Sequence, residues 1–192
     1  LNAVYGENTD IIKKLLPLVT DVNHSNKKGM SALLYAVRNA DTKCFEDVVA
    51  HKGDIHSSDA EGHNMVYHAY AVYSPKYQKA FDFFMQQAMK KKVAIVPDVA
   101  GNNLVHLAVK NQSEYLIKQA IEQGVAINHA NKQGLSPLHL AAMKAKTTTL
   151  LKNLIAQGAD LSQQTDFEES AYDLAQENEL LKGQDLSFLK QI

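Results

Sequence analysis

The sequence predicts an all-α fold: a solenoid of about five to six stacked helix-turn-helix units with short β-turn or hairpin tips. Three observations predict it. First, a nine-residue phrase recurs. Gly134 opens G-L-S-P-L-H-L-A-A, Gly101 opens G-N-N-L-V-H-L-A-V, Gly62 opens G-H-N-M-V-Y-H-A-Y and Gly29 opens G-M-S-A-L-L-Y-A-V, with 33 residues from Gly29 to Gly62 and again from Gly101 to Gly134. A fixed period of this size marks a stacked repeat array. Second, each phrase reads as a turn feeding a helix. Gly134 can take a positive φ, Ser136 is a good N-cap and Pro137 falls at the first helical position, where its missing donor costs nothing. Third, each phrase is followed by an apolar stripe at helical period, which gives each unit a second helix.

The units follow in order. In the first, residues 1–25, Leu1, Ala3 and Val4 continue a helix that Gly6 ends, and Asn8 or Thr9 caps the next. Ile11, Ile12, Leu15 and Leu16 form its stripe, and Pro17 helps to end it. Starting inside a helix, the sequence reads as a piece of a longer chain. In the second, 26–58, Ser31 caps a helix facing inward through Leu33, Ala36 and Val37. Asp41 caps its partner, with Cys44, Phe45, Val48 and Val49 as the stripe and Gly53 at the left-handed C′ position.

The third unit, 59–97, is longer, with 39 residues from Gly62 to Gly101. Ser74-Pro75 reads as the start of an extended second helix carrying Phe81, Phe84, Met85, Ala88 and Met89. That helix ends in Lys90-Lys91-Lys92, where the macrodipole favours cations. No glycine closes it, and Val93 to Val96 reads as extended. In the fourth, 98–130, Asn103 caps, Leu104, Val105 and Ala108 pack, and Ser113 caps a helix striped by Leu116, Ile117, Ala120 and Ile121. In the fifth, 131–164, the second stripe is Leu150, Leu151, Leu154 and Ile155, entered through Thr147-Thr148-Thr149. The sixth, 165–192, is a terminal cap in which Glu168 stands where a glycine would fall. Phe188, Leu189 and Ile192 are expected to fold back onto the last helix pair. Eight acidic residues face Lys182 and Lys190 between 160 and 192, as suits the polar outer face of a terminal repeat.

S-P-L-H-L-A closely resembles the T-P-L-H-x-A signature of ankyrin repeats, at the same period. Gly158–Leu161, Gly124–Asn128 and Asp21–Asn23 resemble the G-A-D-V-N that closes such units. The resemblance covers essentially the whole chain, most strongly at 101–162. It implies one array over 1–192 and a non-catalytic scaffold that binds a macromolecular partner on a concave face of first helices and turn tips. The implied tip positions are Lys28, Met30, Glu61, His63, Asn102, Gln133 and Leu135. The implied helix positions are Tyr35, Arg38, Asn39, His68, Val72, Leu107, Lys110, Asn111, Leu140, Met143 and Lys144. His106 and His139 take the T-P-L-H histidine, expected to tie neighbouring turns, and Tyr67 replaces it in the third unit. The alternative is a regulatory or targeting segment of a larger enzyme or multidomain protein.

The formal net charge of −1 offers no general field for nucleic acid or an anionic membrane, and no apolar run approaches the roughly 18 residues that span a bilayer. A lone Cys44 excludes an internal disulfide and fits a reducing compartment. The expected partner is a protein, and the expected state a monomer. Four residues at one turn, His56, Asp59, Glu61 and His63, are of metal-binding types. Their spacing matches no zinc motif and turns favour Asp, so no metal is expected. Cys44 and His51 are too far apart for a thiolate–imidazole pair. There is no H-E-x-x-H, G-x-x-x-x-G-K-[ST], G-x-S-x-G or G-x-G-x-x-G, and no catalytic residue or cofactor is assigned. Tyr67, Tyr70, Tyr73, Tyr77, Phe81, Phe83 and Phe84 are half of all the aromatics. Either they fill space beside the longer helix, or Tyr73, Tyr77 or Phe83 are exposed anchors for a partner.

Overall fold

A computed structural model describes Ile12 and residues 14–190. Expectations for Leu1, Ala3, Val4, Gly6, Asn8, Thr9, Ile11 and Ile192 lie outside the described residues. The chain divides into two compact units, Leu1–Ile95 and Val96–Ile192.

In the first unit, Ile12 and Leu16 are buried, whereas Leu15 points outward at 45% exposure, and a 3-10 turn at Leu16–Leu18 follows. Helices α1 (Ala32–Arg38) and α2 (Thr42–Ala50) pair, and α1 packs on α3 (Met65–Val72). A 3-10 turn, Pro75–Tyr77, leads into α4 (Gln78–Lys90), which lies against α3 and α2. Ser31 accepts from Leu34 N–H and Asp41 from Cys44 N–H, so both expected caps form. Ser74 precedes the proline but makes no side-chain cap bond. Phe81, Phe84, Met85 and Ala88 are buried; Met89 is 70% exposed, one residue past the inward stripe. Val93 is buried in irregular chain.

In the second unit, α5 (Leu104–Lys110) packs on α6 (Glu114–Glu122) and on α7 (Pro137–Lys144). Helix α7 contacts α8 (Thr148–Ala156) and α9 (Ala171–Glu177), and α6 contacts α8. The first helices α5 and α7 are buried through almost their whole length, while the second helices bury one stripe: Leu116, Ile117 and Ala120, then Leu150, Leu151 and Leu154. Ile121 and Ile155 are half-buried at the stripe's edge. The last segment turns back through two 3-10 turns, Glu179–Leu181 and Ser187–Leu189, burying Leu181 and Leu189. Phe188 is half-buried, with Lys152 Nζ 5.0 Å above its ring.

Tips stack within each unit. Ala60 N–H donates to Lys28 O at 3.0 Å, and Lys132 N–H to Ala100 O at 3.0 Å. This close approach explains the glycines: at φ +73, a Cβ on Gly29 would lie 2.5 Å from Ala60 N. Among the described residues no strand forms; isolated bridges, Ser58 with Asn64 and Gln164 with Ser170, are all that remains of a hairpin. Helix ends depart from expectation. Lys52 at φ 68, rather than Gly53, supplies the left-handed residue after α2, and Lys92 at φ 55 does so after α4. Gly53 is instead required by space, since a Cβ there would lie 2.5 Å from Val48 Cγ1. Glu168 takes φ 62 where the phrase asks for glycine.

Candidate functional site

Every tip is built the same way. A residue of Asn, Asp or Thr type opens it, and its side chain accepts from the backbone two and four residues on. Asn26 takes Lys28 and Met30 N–H, Asp59 takes Glu61 and His63, Asp98 takes Ala100 and Asn102, Asn131 takes Gln133 and Leu135, and Thr165 takes Phe167 and Glu169. The side-chain oxygen thus satisfies amides that the turn leaves open. The helix then starts two or three residues beyond the glycine, on a capped Ser or Asn.

The expected surface positions fall into three groups. Lys28, Arg38 and Glu61 in the first unit, and Lys110, Gln133, Met143 and Lys144 in the second, are exposed. Tyr35, Asn39, His63, Val72, Asn111 and Leu135 are half-buried. Met30, His68, Asn102, Leu107 and Leu140 are buried, so their side chains are not on the surface where the repeat pattern put them. Asn102 shows why: its amide donates to Asp98 Oδ2 at 3.1 Å and its oxygen accepts from Asn131 at 2.9 Å, so it cements two tips. Leu107 and Leu140 are apolar and buried within α5 and α7. The exposed members include a cation at the end of each of α1, α5 and α7: Arg38, Lys110 and Lys144.

His106 and His139 bridge turns, as expected. In each, Nε2–H donates to a carbonyl near the following turn, Leu135 O at 2.9 Å or Gln163 O at 3.0 Å. Nδ1 then accepts from the N-cap amide, Asn103 N–H at 3.3 Å or Ser136 N–H at 3.2 Å, which completes a capping box. Desolvation pushes both pKa values down, to about 4 for His106, because a proton on Nδ1 would be buried charge and would cost that cap bond.

At the third tip the arrangement differs. Tyr67 stands in the bridging position and stacks on His63, ring centroids 3.7 Å apart. His68, one residue later, turns its Nε2 to Asp59 Oδ2 at 3.1 Å, and His63 Nδ1 lies 3.3 Å from the same oxygen. Glu61 Oε2 is 3.6 Å from His63 Nδ1. Asp59, His63 and His68 thus present three ligand-type atoms within 4.8 Å of one another. Burial pushes the His68 pKa down to about 4, against the pull of Asp59; His63 and Arg38 push the same way. The sequence grouping includes His56 and omits His68, whereas in the structure His56 is exposed and it is His68 that joins Asp59 and His63. The available signal was a nine-residue spacing, because Asn26 and Tyr35, nine apart, also meet, at 3.0 Å.

The aromatic cluster mostly fills space. Tyr73 packs edge-on against Phe81 at 5.2 Å and donates to Gln78 Oε1, and Phe83 lies against Phe45 and Phe84. Tyr77 alone of the three is exposed, at 38%, beneath Lys76 Nζ. Cys44 is buried, and desolvation pushes its thiol up to about 12, with Asp41 and Asp47 adding to it. Among the described residues no helix is long and apolar enough to cross a membrane.

Family models described as ankyrin repeats match residues 70–165, as three copies, and residues 1–49. An ankyrin repeat protein of Acanthamoeba polyphaga mimivirus is 20% identical over 159 residues, which cover 81% of this chain and 20% of the relative. An ankyrin repeat protein of Fowlpox virus is 31% identical over 70 residues, covering 36% of this chain and 20% of the relative. The chain spans about one fifth of the length of these relatives. Among solved structures, one chain of the complex between the predatory endopeptidase Bd0816 of Bdellovibrio bacteriovorus and immunity protein Bd3460 aligns with a TM-score of 0.74 at 21% identity, covering 92% of this chain and 89% of that one.

Proposed function

The chain belongs to the ankyrin repeat family, and from that premise we propose that it is a non-catalytic interaction module whose turn tips and first helices read a protein partner. Ankyrin repeats generally mediate protein–protein interaction. The observation that carries the reading is a contrast along three of the first helices, α1, α5 and α7: a buried body ending in an exposed cation, Arg38, Lys110 or Lys144. Such residues cost the fold little to vary, and they favour a partner whose facing surface is acidic. Arg is also a type enriched in interface cores. That the structural neighbour comes from a protein–protein complex agrees with this. A second reading, a regulatory or targeting segment of a larger protein, is favoured by the fivefold greater length of the relatives.

The test is affinity capture from native lysate with mass spectrometry, repeated with Arg38→Glu and with Lys110→Glu plus Lys144→Glu. The expected outcome is loss of one specific protein from the capture by at least one variant, at unchanged helicity by circular dichroism. Capture that survives both sets would place binding on another face.

A further inference from the structure

We propose that the third tip holds a divalent transition-metal ion, Zn2+ first among them, between Asp59 Oδ2, His63 Nδ1 and His68 Nε2. The residues are of the right chemistry: two imidazoles and a carboxylate are a common zinc set, with a fourth position left to solvent or another ligand. The spacing also fits. Bonds of about 2.0–2.1 Å in a tetrahedron put ligand atoms about 3.3 Å apart; the carboxylate oxygen lies 3.3 Å from one imidazole nitrogen and 3.1 Å from the other, and the two nitrogens lie within 4.8 Å of each other. The three side chains are nearly enclosed, at 13% exposure or less. Both imidazoles bind as neutral rings, with the coordinating nitrogen unprotonated. Glu61, already 3.6 Å from His63 Nδ1 and largely exposed, is in reach to supply the fourth ligand or to offset the ion's charge.

Comparison between the repeats separates this set from ordinary tip packing. The corresponding positions are Asn26, Met30 and Tyr35; Asp98, Asn102 and Leu107; Asn131, Leu135 and Leu140; and Thr165, Glu169 and Leu174. None of those sets has more than one residue of ligand type. Only the third tip changes three positions together, and those three converge on one point. An ion there would lock the tip, with Glu61 and His63, onto the first turn of α3.

The other repeats also supply variants that keep the fold. Asp59→Asn leaves the tip bonds intact, because Asn26 and Asn131 make the same two backbone contacts. His68→Leu puts at this position the residue that Leu107 and Leu140 already place there. The experiment titrates metal-free protein with Zn2+ in competition with a chromophoric indicator and follows thermal unfolding with and without the ion. The expected result is one tight equivalent per chain and a rise of about 5 °C in the unfolding midpoint. Both effects should be lost in Asp59→Asn and in His68→Leu, and kept in His56→Gln. If the wild type binds no zinc, or if both variants keep the tight equivalent, the proposal fails and the cluster is a hydrogen-bonded carboxylate alone.

Discussion

In α5 and α7 the imidazole is the third residue of the helix; in α3 it is the fourth. One residue on an α-helix is a rotation of about 100°, and the consequence is a change of partner. His106 and His139 reach forward to carbonyls of the next turn, 29 and 24 residues away. His68 reaches back to Asp59 in its own tip. The third position in α3 goes to Tyr67, which stacks on His63 and has no capping-box role. The same local grammar therefore yields a spring between repeats in one unit and a closed cluster within one repeat in the other. Identity of a residue type mattered less than its phase on the helix.

Acid should stress both arrangements, and with the largest effect. His68 and His106 are held near 4 and His139 is lowered, all by desolvation first. In the unfolded chain they take up protons near 6.5. Between those values the unfolded state binds more protons, so stability is full above about 6.5 and is lost as pH falls towards 4. Unfolding free energies from urea curves measured from pH 7 to 4.5 should drop, by an amount on the order of a few kcal/mol in all. In His106→Gln the slope should be shallower. An equal slope would show that His106 is not what titrates.

A second comparison isolates the bridge. His106→Leu removes a donor to Leu135 O and an acceptor for Asn103 N–H in buried surroundings, a loss of about 3 kcal/mol. Tyr67→Leu gives up a stack on His63 and should cost about 1 kcal/mol. Equal losses in urea unfolding would mean that the bridge adds nothing beyond packing.

The repeat phrases made the helix pairs legible because glycine, cap and apolar period agree at one register. Ser31, Asp41, Asn103 and Ser113 cap as read. The misreadings were local and had local causes. Residue type points to Gly53 for the left-handed position, while the chain puts positive φ on Lys52 and uses Gly53 for clearance against Val48. Met89 and Leu15 follow the stripe in sequence but fall past its angular edge. The site was less legible. The repeat pattern puts Met30, His68, Asn102, Leu107 and Leu140 on the surface, and the structure buries all five. The Asp59 cluster needs a contact across nine residues, which neither a helical nor an extended period contains.

The smallest expected difference concerns the caps. In α7 the cap is reciprocal: Ser136 Oγ accepts from His139 N–H and also lies 3.1 Å from His139 Nδ1. In α1 it is one-way: Ser31 Oγ accepts from Leu34 N–H, and Leu34 has nothing to return. Both serines are buried, so solvent cannot replace either bond. Ser31→Ala should therefore cost about 1 kcal/mol, the usual worth of an N-cap, and Ser136→Ala about 1.5 kcal/mol, because it also loosens the ring that bridges to Gln163. Paired urea curves resolve the gap if the slopes match. Should Ser31→Ala prove the costlier, the extra imidazole contact would be incidental, and the bridge would owe its rigidity to burial of the ring rather than to the cap beneath it.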